Sequence, residues 1–268
     1  MNMMRFAEKN DFSAVRSLWE TCFPDEGGFN DYFFAHFYKE EYTLLCIEDD
    51  VLVAMVQMLP YRMTVGGVSR EVTYIYGACT DPNHRRKGHM ARLLERSFEL
   101  DRQAGRIASV LIPAEKWLFD FYRPFGYEPF FHIARREITR TAGKCEQPRR
   151  LTSADVPALA ALYEKLMSEC KIERDSAYWN AQLAMFDTLG AGAYGWFDGE
   201  TLTGYAFCWE DNAQELLGVT DTQLQGLLDT LHRDTLTVTE SGSEIALGVC
   251  KWHEKADETA GYMNLMLN

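Results

Sequence analysis

The chain has 268 residues, of which 47% are hydrophobic, with seven cysteines and a net charge of −13. That is room for one large domain or two ordinary ones with a proper core. No run of eighteen apolar residues spans a membrane, and the N-terminus, MNMMRFAEKND, lacks a signal peptide's features. The cysteines are scattered, with no C-x-x-C pair, as in a reducing, cytoplasmic setting. The histidines show no metal spacing and no extended basic surface is visible, so neither a metal nor nucleic acid is expected.

Residues 4–7 read as a first strand. Apolar positions 12, 15, 18, 19 and 22 share one face of a helix over residues 11–23. After a loop at residues 24–28, a second helix with an aromatic face covers residues 29–38. Strands are predicted at 42–47 and 51–59, joined by the turn Glu48-Asp49-Asp50. A Gly66-Gly67 turn leads to strand 72–79, rich in β-branched and aromatic residues. From Met90 onward, Met90, Leu93, Leu94 and Phe98 line one helix face. Residues 107–112 are almost wholly apolar, as in a central strand beside 72–79. A short helix at 114–122 ends at Pro124-Phe125-Gly126, and a strand at 130–139 follows.

The polar joint at 144–150 contains a proline and marks a boundary between domains 1–143 and 144–268. Thr152 and Asp155 form a capping-box pattern before a helix at 156–170, and a second helix covers 176–189. Strands at 191–197 and 202–210 flank Asp198-Gly199, a hairpin signal. A strand at 215–219, a helix at 221–233, and strands at 235–239, 245–252 and 262–267 complete the chain. Both parts share one order: helices, hairpin, strand, helix, strand. Where the first part has HRRKGHM, the second has Gly218-Val-Thr-Asp-Thr-Gln-Leu, with no basic residue and no glycine turn before its helix. If the parts are duplicates, the second has lost that turn.

The turn in question, Arg85-Arg86-Lys87-Gly88, joins a strand to a helix N-terminus. Free amides and the helix dipole favour an anion there, three cations add to it, and Gly88 permits close backbone approach. The turn alone is equally compatible with a solvated connection. Neither a nucleoside-triphosphate P-loop nor a Rossmann fingerprint is present. Tyr122, among phenylalanines in FDFYRPFGY, reads as core by itself. However, its helix and the basic turn both begin at the carboxyl ends of neighbouring strands, where ligands bind in such sheets.

Together these residues resemble the GNAT superfamily of acetyl-CoA-dependent N-acetyltransferases. The family pattern of Gln or Arg, two residues, Gly, one residue, then Gly or Ala is matched by Arg85 to Met90, departing at Met90. A second pattern, Tyr, three residues, Gly, then an aromatic residue, is matched by Tyr122 to Tyr127. The forms TDPNHRRKGHMARLL and FYRPFGY are most similar to the enhanced-intracellular-survival type. That type joins an active GNAT domain to a degenerate one and then to a sterol-carrier-like domain, for which this sequence has no room.

The resemblance implies an α/β architecture: a GNAT fold, a mixed sheet flanked by helices, followed by a degenerate GNAT-like domain without a CoA motif. It implies acetyl-CoA as co-substrate and a small-molecule or peptide amine as acceptor. Backbone groups of Ala78, Cys79 and Thr80 would align the pantetheine arm. The turn Arg85, Arg86, Lys87, Gly88 and the helix start His89, Met90 and Ala91 would hold the pyrophosphate. Tyr122 would protonate the departing thiolate. By resemblance only, the terminal carboxylate of Asn268 is a candidate base. A non-catalytic acetyl-CoA-binding sensor or partner-binding module is the alternative, and a longer acyl donor is compatible with the same residues. Charge suggests a cationic acceptor, since residues 1–150 are neutral overall and all of the −13 falls in residues 151–268.

Overall fold

The computed structural model describes residues 2–25, 27–167 and 169–265. In chain order the elements are β1 (Asn2–Phe6), α1 (Phe12–Cys22), α2 (Phe29–His36), β2 (Thr43–Glu48), β3 (Val51–Val65), β4 (Val68–Thr80), α3 (His89–Gln103), β5 (Ala108–Leu111), α4 (Lys116–Tyr122) and β6 (Glu128–Thr139). There follow β7 (Arg149–Arg150), α5 (Val156–Leu166), β8 (Lys171–Ile172), α6 (Ser176–Thr188), β9 (Gly192–Asp198), β10 (Thr201–Trp209), β11 (Asn212–Leu217), α7 (Asp221–Leu231), β12 (Thr235–Ser241) and β13 (Ile245–Trp252). None of the described helices is long and apolar enough to cross a membrane.

Contacts divide the chain into two compact units. One holds the residues up to Phe130 together with Gly248–Thr259, the other Phe131–Leu247 together with the residues from Ala260 on. A single cut at 143/144 therefore does not describe the packing, because each unit is completed by a strand from the other part of the sequence. In the first unit the strand order is β1-β2-β3-β4-β5-β13, in the second β6-β12-β11-β10-β9-β7. The last pairings are antiparallel, with Val249 opposite Leu111 in one unit and Arg136 opposite Val238 in the other.

The exchange has an electrostatic fit. On β6, Arg136 pairs with Glu240 at 2.7 Å, and just beyond it Arg140 pairs with Asp229 and Asp234. Around β13, His253 meets the buried Asp101 at 3.2 Å and Glu254 meets Arg70 at 2.6 Å. The charge division follows the packing. The first unit holds 17 Lys/Arg against 22 Asp/Glu, the second 10 against 18. The steep split read along the sequence becomes −5 and −8, so both units are acidic.

In the first unit, β3 is buried continuously over residues 53–59, as expected of a strand covered on both faces. Leu45 and Ile47 of β2 join α1 and α2 in a core with Val15, Trp19, Phe33 and Phe34. Cys46 points the other way, its thiol 3.6 Å from His89 on α3. The second unit repeats this layering. Tyr205 and Phe207 of β10 meet Trp179 of α6, while Ala206 and Cys208 pack with Leu224, Leu227 and Leu228 of α7.

Several predicted bounds differ, among them β11, expected at 215–219 and observed at Asn212–Leu217. β3 and β4 run to the Gly66-Gly67 turn as one long hairpin, because ladder bonds continue past the apolar stretch through less buried pairs such as Thr64 and Ser69. α5 stops at Leu166, where Met167 turns extended. The described part of the predicted strand 262–267 carries only isolated bridges at Gly261 and Tyr262.

Candidate active site

The site begins with a fault in β4. Its ladder with β3 runs Gln57–Tyr76 and then Met55–Cys79, so Gly77 and Ala78 together oppose Val56 in a bulge. Gly77 sits at φ 56°, and a Cβ there would lie 2.1 Å from the Trp19 ring. Only glycine meets both demands. Trp19 is itself held, stacked on Phe33 at 4.5 Å and donating its indole N–H to Asn30 at 2.7 Å. A glycine inside a strand pattern is the one sequence signal that could have located this bulge.

On the other side, β4 pairs in parallel with β5 only through Val72, Thr73 and Tyr74. Among the described residues that ladder ends there, although β4 continues to Thr80. Beyond Tyr74 the β4 backbone of residues 76–80 has no β5 partner among the described residues, and this unpaired edge forms one side of a candidate wedge. Ala78 and Thr80 are half-buried on this edge, while the Cys79 side chain is buried toward α1.

The edge leads straight to the basic turn. Asp81 accepts from the Asn83 backbone N–H at 2.8 Å and lies 3.1 Å from His84, which together hold its carboxyl below the usual range. Arg85 donates from Nε to the Thr80 carbonyl at 3.2 Å, and Arg85, Arg86, Lys87 and Gly88 are all exposed. Gly88, at φ 78°, is the N-cap of α3 and supplies no side-chain cap. The first-turn amides at His89, Met90 and Ala91 therefore have no partner within the helix. The His89 side chain is buried. Arg92 donates to its Nδ1 at 2.8 Å, which places the ring proton on Nε2, 3.7 Å from Glu48. Burial lowers its pKa. Met90 and Ala91 are half-buried.

Tyr122, the last residue of α4, stands on the β5 side of the wedge. Its ring packs edge-on against Tyr127 at 5.6 Å, and Tyr127 shares a 2.6 Å hydrogen bond with Ser109 of β5. Burial pushes the Tyr122 phenol up to about 12. Its hydroxyl makes no hydrogen bond among the described residues, so a protonated donor is left free. Asn268 lies outside the described residues. Among the described residues no group of His, Cys, Asp and Glu is arranged to hold a metal.

The second unit has the same bulge position but not the wedge. Its parallel ladder continues from Ala213–Val238 to Leu216–Glu240. The α7 amides are taken by a capping box, Thr220 accepting from the Gln223 backbone and Gln223 from that of Thr220. Glu215, on β11, is fully buried and salt-bridged to Arg174 at 2.5 Å. Both Tyr205 and Tyr262 donate to it at 2.7 Å. A cavity of about 620 Å³ lies elsewhere in this unit, between residues 146–149 and 195–200. Its arginine, Arg149, is already stacked on Phe197 at 3.9 Å and paired with Asp155.

Residues 3–130 match the family model of the acetyltransferase (GNAT) domain. Several solved structures are similar in fold. A conserved protein of unknown function from Enterococcus faecalis shares 14% identity over 93% of this chain and 72% of that one, with a TM-score of 0.73. A GCN5-related N-acetyltransferase from Anabaena variabilis shares 18% over 93% and 72%, with a TM-score of 0.70. Eis1 from Mycobacterium abscessus shares 16% over 94% and 73%, with a TM-score of 0.63. At these identities the likeness concerns the fold. None of the curated proteins compared matches the sequence.

Proposed function

With residues 3–130 an acetyltransferase (GNAT) domain, we propose that the chain acts as an acetyl-CoA-dependent N-acyltransferase on a primary amine, using the wedge of the first unit. The observation that carries this reading is the continuity of the open β4 edge with the uncapped, basic start of α3. Acetyl-CoA supplies an activated acyl group, a long amide-bearing arm and a pyrophosphate. The chain offers a partner for each. Ala78, Cys79 and Thr80 present backbone groups to the arm as a neighbouring strand would. An N–H on this edge polarises the thioester carbonyl where negative charge develops. The amides of Arg86 through Ala91, with Arg85, Arg86 and Lys87, hold the pyrophosphate. Tyr122 donates its proton to the departing thiolate, a role supported by its unpartnered hydroxyl. The second unit, with closed ladder and capped helix, takes no acyl-CoA.

The acceptor nitrogen must arrive unprotonated to attack. The net charge of −13 favours an acceptor that is cationic elsewhere. The test is a turnover screen following thiol release from acetyl-CoA and longer acyl-CoAs against diverse amines at several ionic strengths. Release with some amines, and KM for the acceptor rising with salt, are expected. Absence of thiol release with every amine tested would refute the enzyme assignment. A KM independent of salt would refute the cationic acceptor.

A further inference from the structure

The start of α3 answers to two opposed demands. Its amides stay free for an anion only if nothing caps them, and a helix end without a cap frays. α7 is held by its capping box, which takes up the Thr220 and Gln223 amides. Gly88, at φ 78°, gives α3 no side chain for that purpose. The His89 ring makes contacts of another kind. His89 is the first residue of the helix, and its side chain is only 1% exposed. Nδ1 accepts from Arg92 at 2.8 Å, three residues along α3, and lies 3.6 Å from the Cys46 thiol. Nε2 lies 3.7 Å from the Glu48 carboxylate. Cys46 and Glu48 are two residues apart on β2 and so share its face toward α3.

We propose that the His89 side chain is a positioning residue for acetyl-CoA, one that fixes the first turn of α3 from its side so that the amides of residues 89–91 converge on the pyrophosphate. This role rests on the reading of the α3 start as the pyrophosphate site. The choice of residue supports it. A buried imidazole costs more to desolvate than an apolar side chain, and Leu93 and Leu94 of the same helix fill core positions without polar atoms. What the ring adds is lateral attachment, to Arg92 on the helix and to Cys46 and Glu48 on the strand. None of it draws on a backbone amide. Arg92 is a second support. A cation near a helix N-terminus opposes the dipole, and this one follows closely on Arg85, Arg86 and Lys87. The ring accepts from its guanidinium and keeps that charge at the end of the helix where an anion gains from it.

With both ring nitrogens removed, the first turn has neither a cap nor this attachment to β2. Its amides then sample more conformations, and binding has to order them first, which lowers affinity. The loss is confined to the part of the ligand that the amides hold. A donor that shares the pantetheine arm and the thioester but lacks the pyrophosphate gains nothing from an ordered turn.

The experiment compares the full-length wild type with His89→Leu and His89→Gln. Leucine keeps apolar bulk and removes both nitrogens, whereas glutamine keeps an acceptor for Arg92. Calorimetry with acetyl-CoA gives affinity, and kcat/KM is measured with acetyl-CoA and with S-acetylpantetheine, which has no pyrophosphate. His89→Leu should weaken acetyl-CoA about fivefold or more, the scale of losing a helix cap. The ratio of kcat/KM for acetyl-CoA to that for S-acetylpantetheine should fall by a similar factor, and His89→Gln should recover most of both. A residue that only fills the core would lower Tm and leave that ratio where it is. Should His89→Leu fold poorly, His89→Phe, which keeps a planar ring without nitrogens, carries the same test. Wild-type affinity and an unchanged ratio in the folded variant overturn the positioning role alone. A wild type that does not bind acetyl-CoA removes the pyrophosphate reading, and the role with it.

Discussion

Replacing Tyr122 by Phe deletes one oxygen and nothing else. The edge-on packing with Phe121 at 5.1 Å and with Tyr127 at 5.6 Å belongs to the ring and survives. The hydroxyl has no partner among the described residues, so its loss strands no donor or acceptor, and stability should change by less than about 1 kcal/mol. Proton donation in the transition state is worth roughly 10²–10⁴ in rate. At about 1.36 kcal/mol per tenfold that is about 3–5 kcal/mol of barrier. The variant should therefore keep its Tm and its acetyl-CoA affinity while kcat collapses. The pH profile adds a check on sign. A phenol raised to about 12 is the protonated, active form below that pH. Wild-type activity should rise with pH as the acceptor amine loses its proton, with no descending limb from Tyr122 before roughly pH 11. The assay is single-turnover thiol release, which isolates chemistry from product release. Wild-type rate in a folded Tyr122→Phe protein would refute the acid role and return this residue to the core.

Gly88→Val places a β-branched residue at φ 78° on the helix start. It should weaken acetyl-CoA binding tenfold or more by calorimetry, about 1.4 kcal/mol per tenfold, and unchanged affinity would remove the pyrophosphate assignment. Gly77→Ala meets both a left-handed backbone and the Trp19 ring, so it should destabilise by roughly 2–6 kcal/mol in thermal or urea unfolding. Gly88→Ala, with open space around it, should cost only about 1 kcal/mol, and equal losses at the two glycines would contradict the bulge. Glu215→Gln leaves the Arg174 guanidinium buried without its carboxylate and should destabilise the second unit by about 3–5 kcal/mol. A normal melting profile would show that the pair is not load-carrying.

What could be read along the sequence was local. The turn Arg85 to Gly88 could be read as a candidate anion site because the residues that make it are neighbours, and the helix it starts is marked by a face of Met90, Leu93, Leu94 and Phe98. FYRPFGY, likewise, carries its helix, its stop and its tyrosine in one stretch. Strand 107–112 was legible because a strand covered on both faces must be apolar throughout. Tertiary structure decided the features that depend on pairing across long separations. Nothing in the 130–139 stretch says that Arg136 will face Glu240 or that β13 will pair with β5, since a strand's hydrogen-bonding edge does not name its partner. That exchange turned a charge split read along the chain into two acidic units. The wedge is equally non-local, because it exists only where the β4–β5 ladder stops at Tyr74 and Gly77 yields to Trp19.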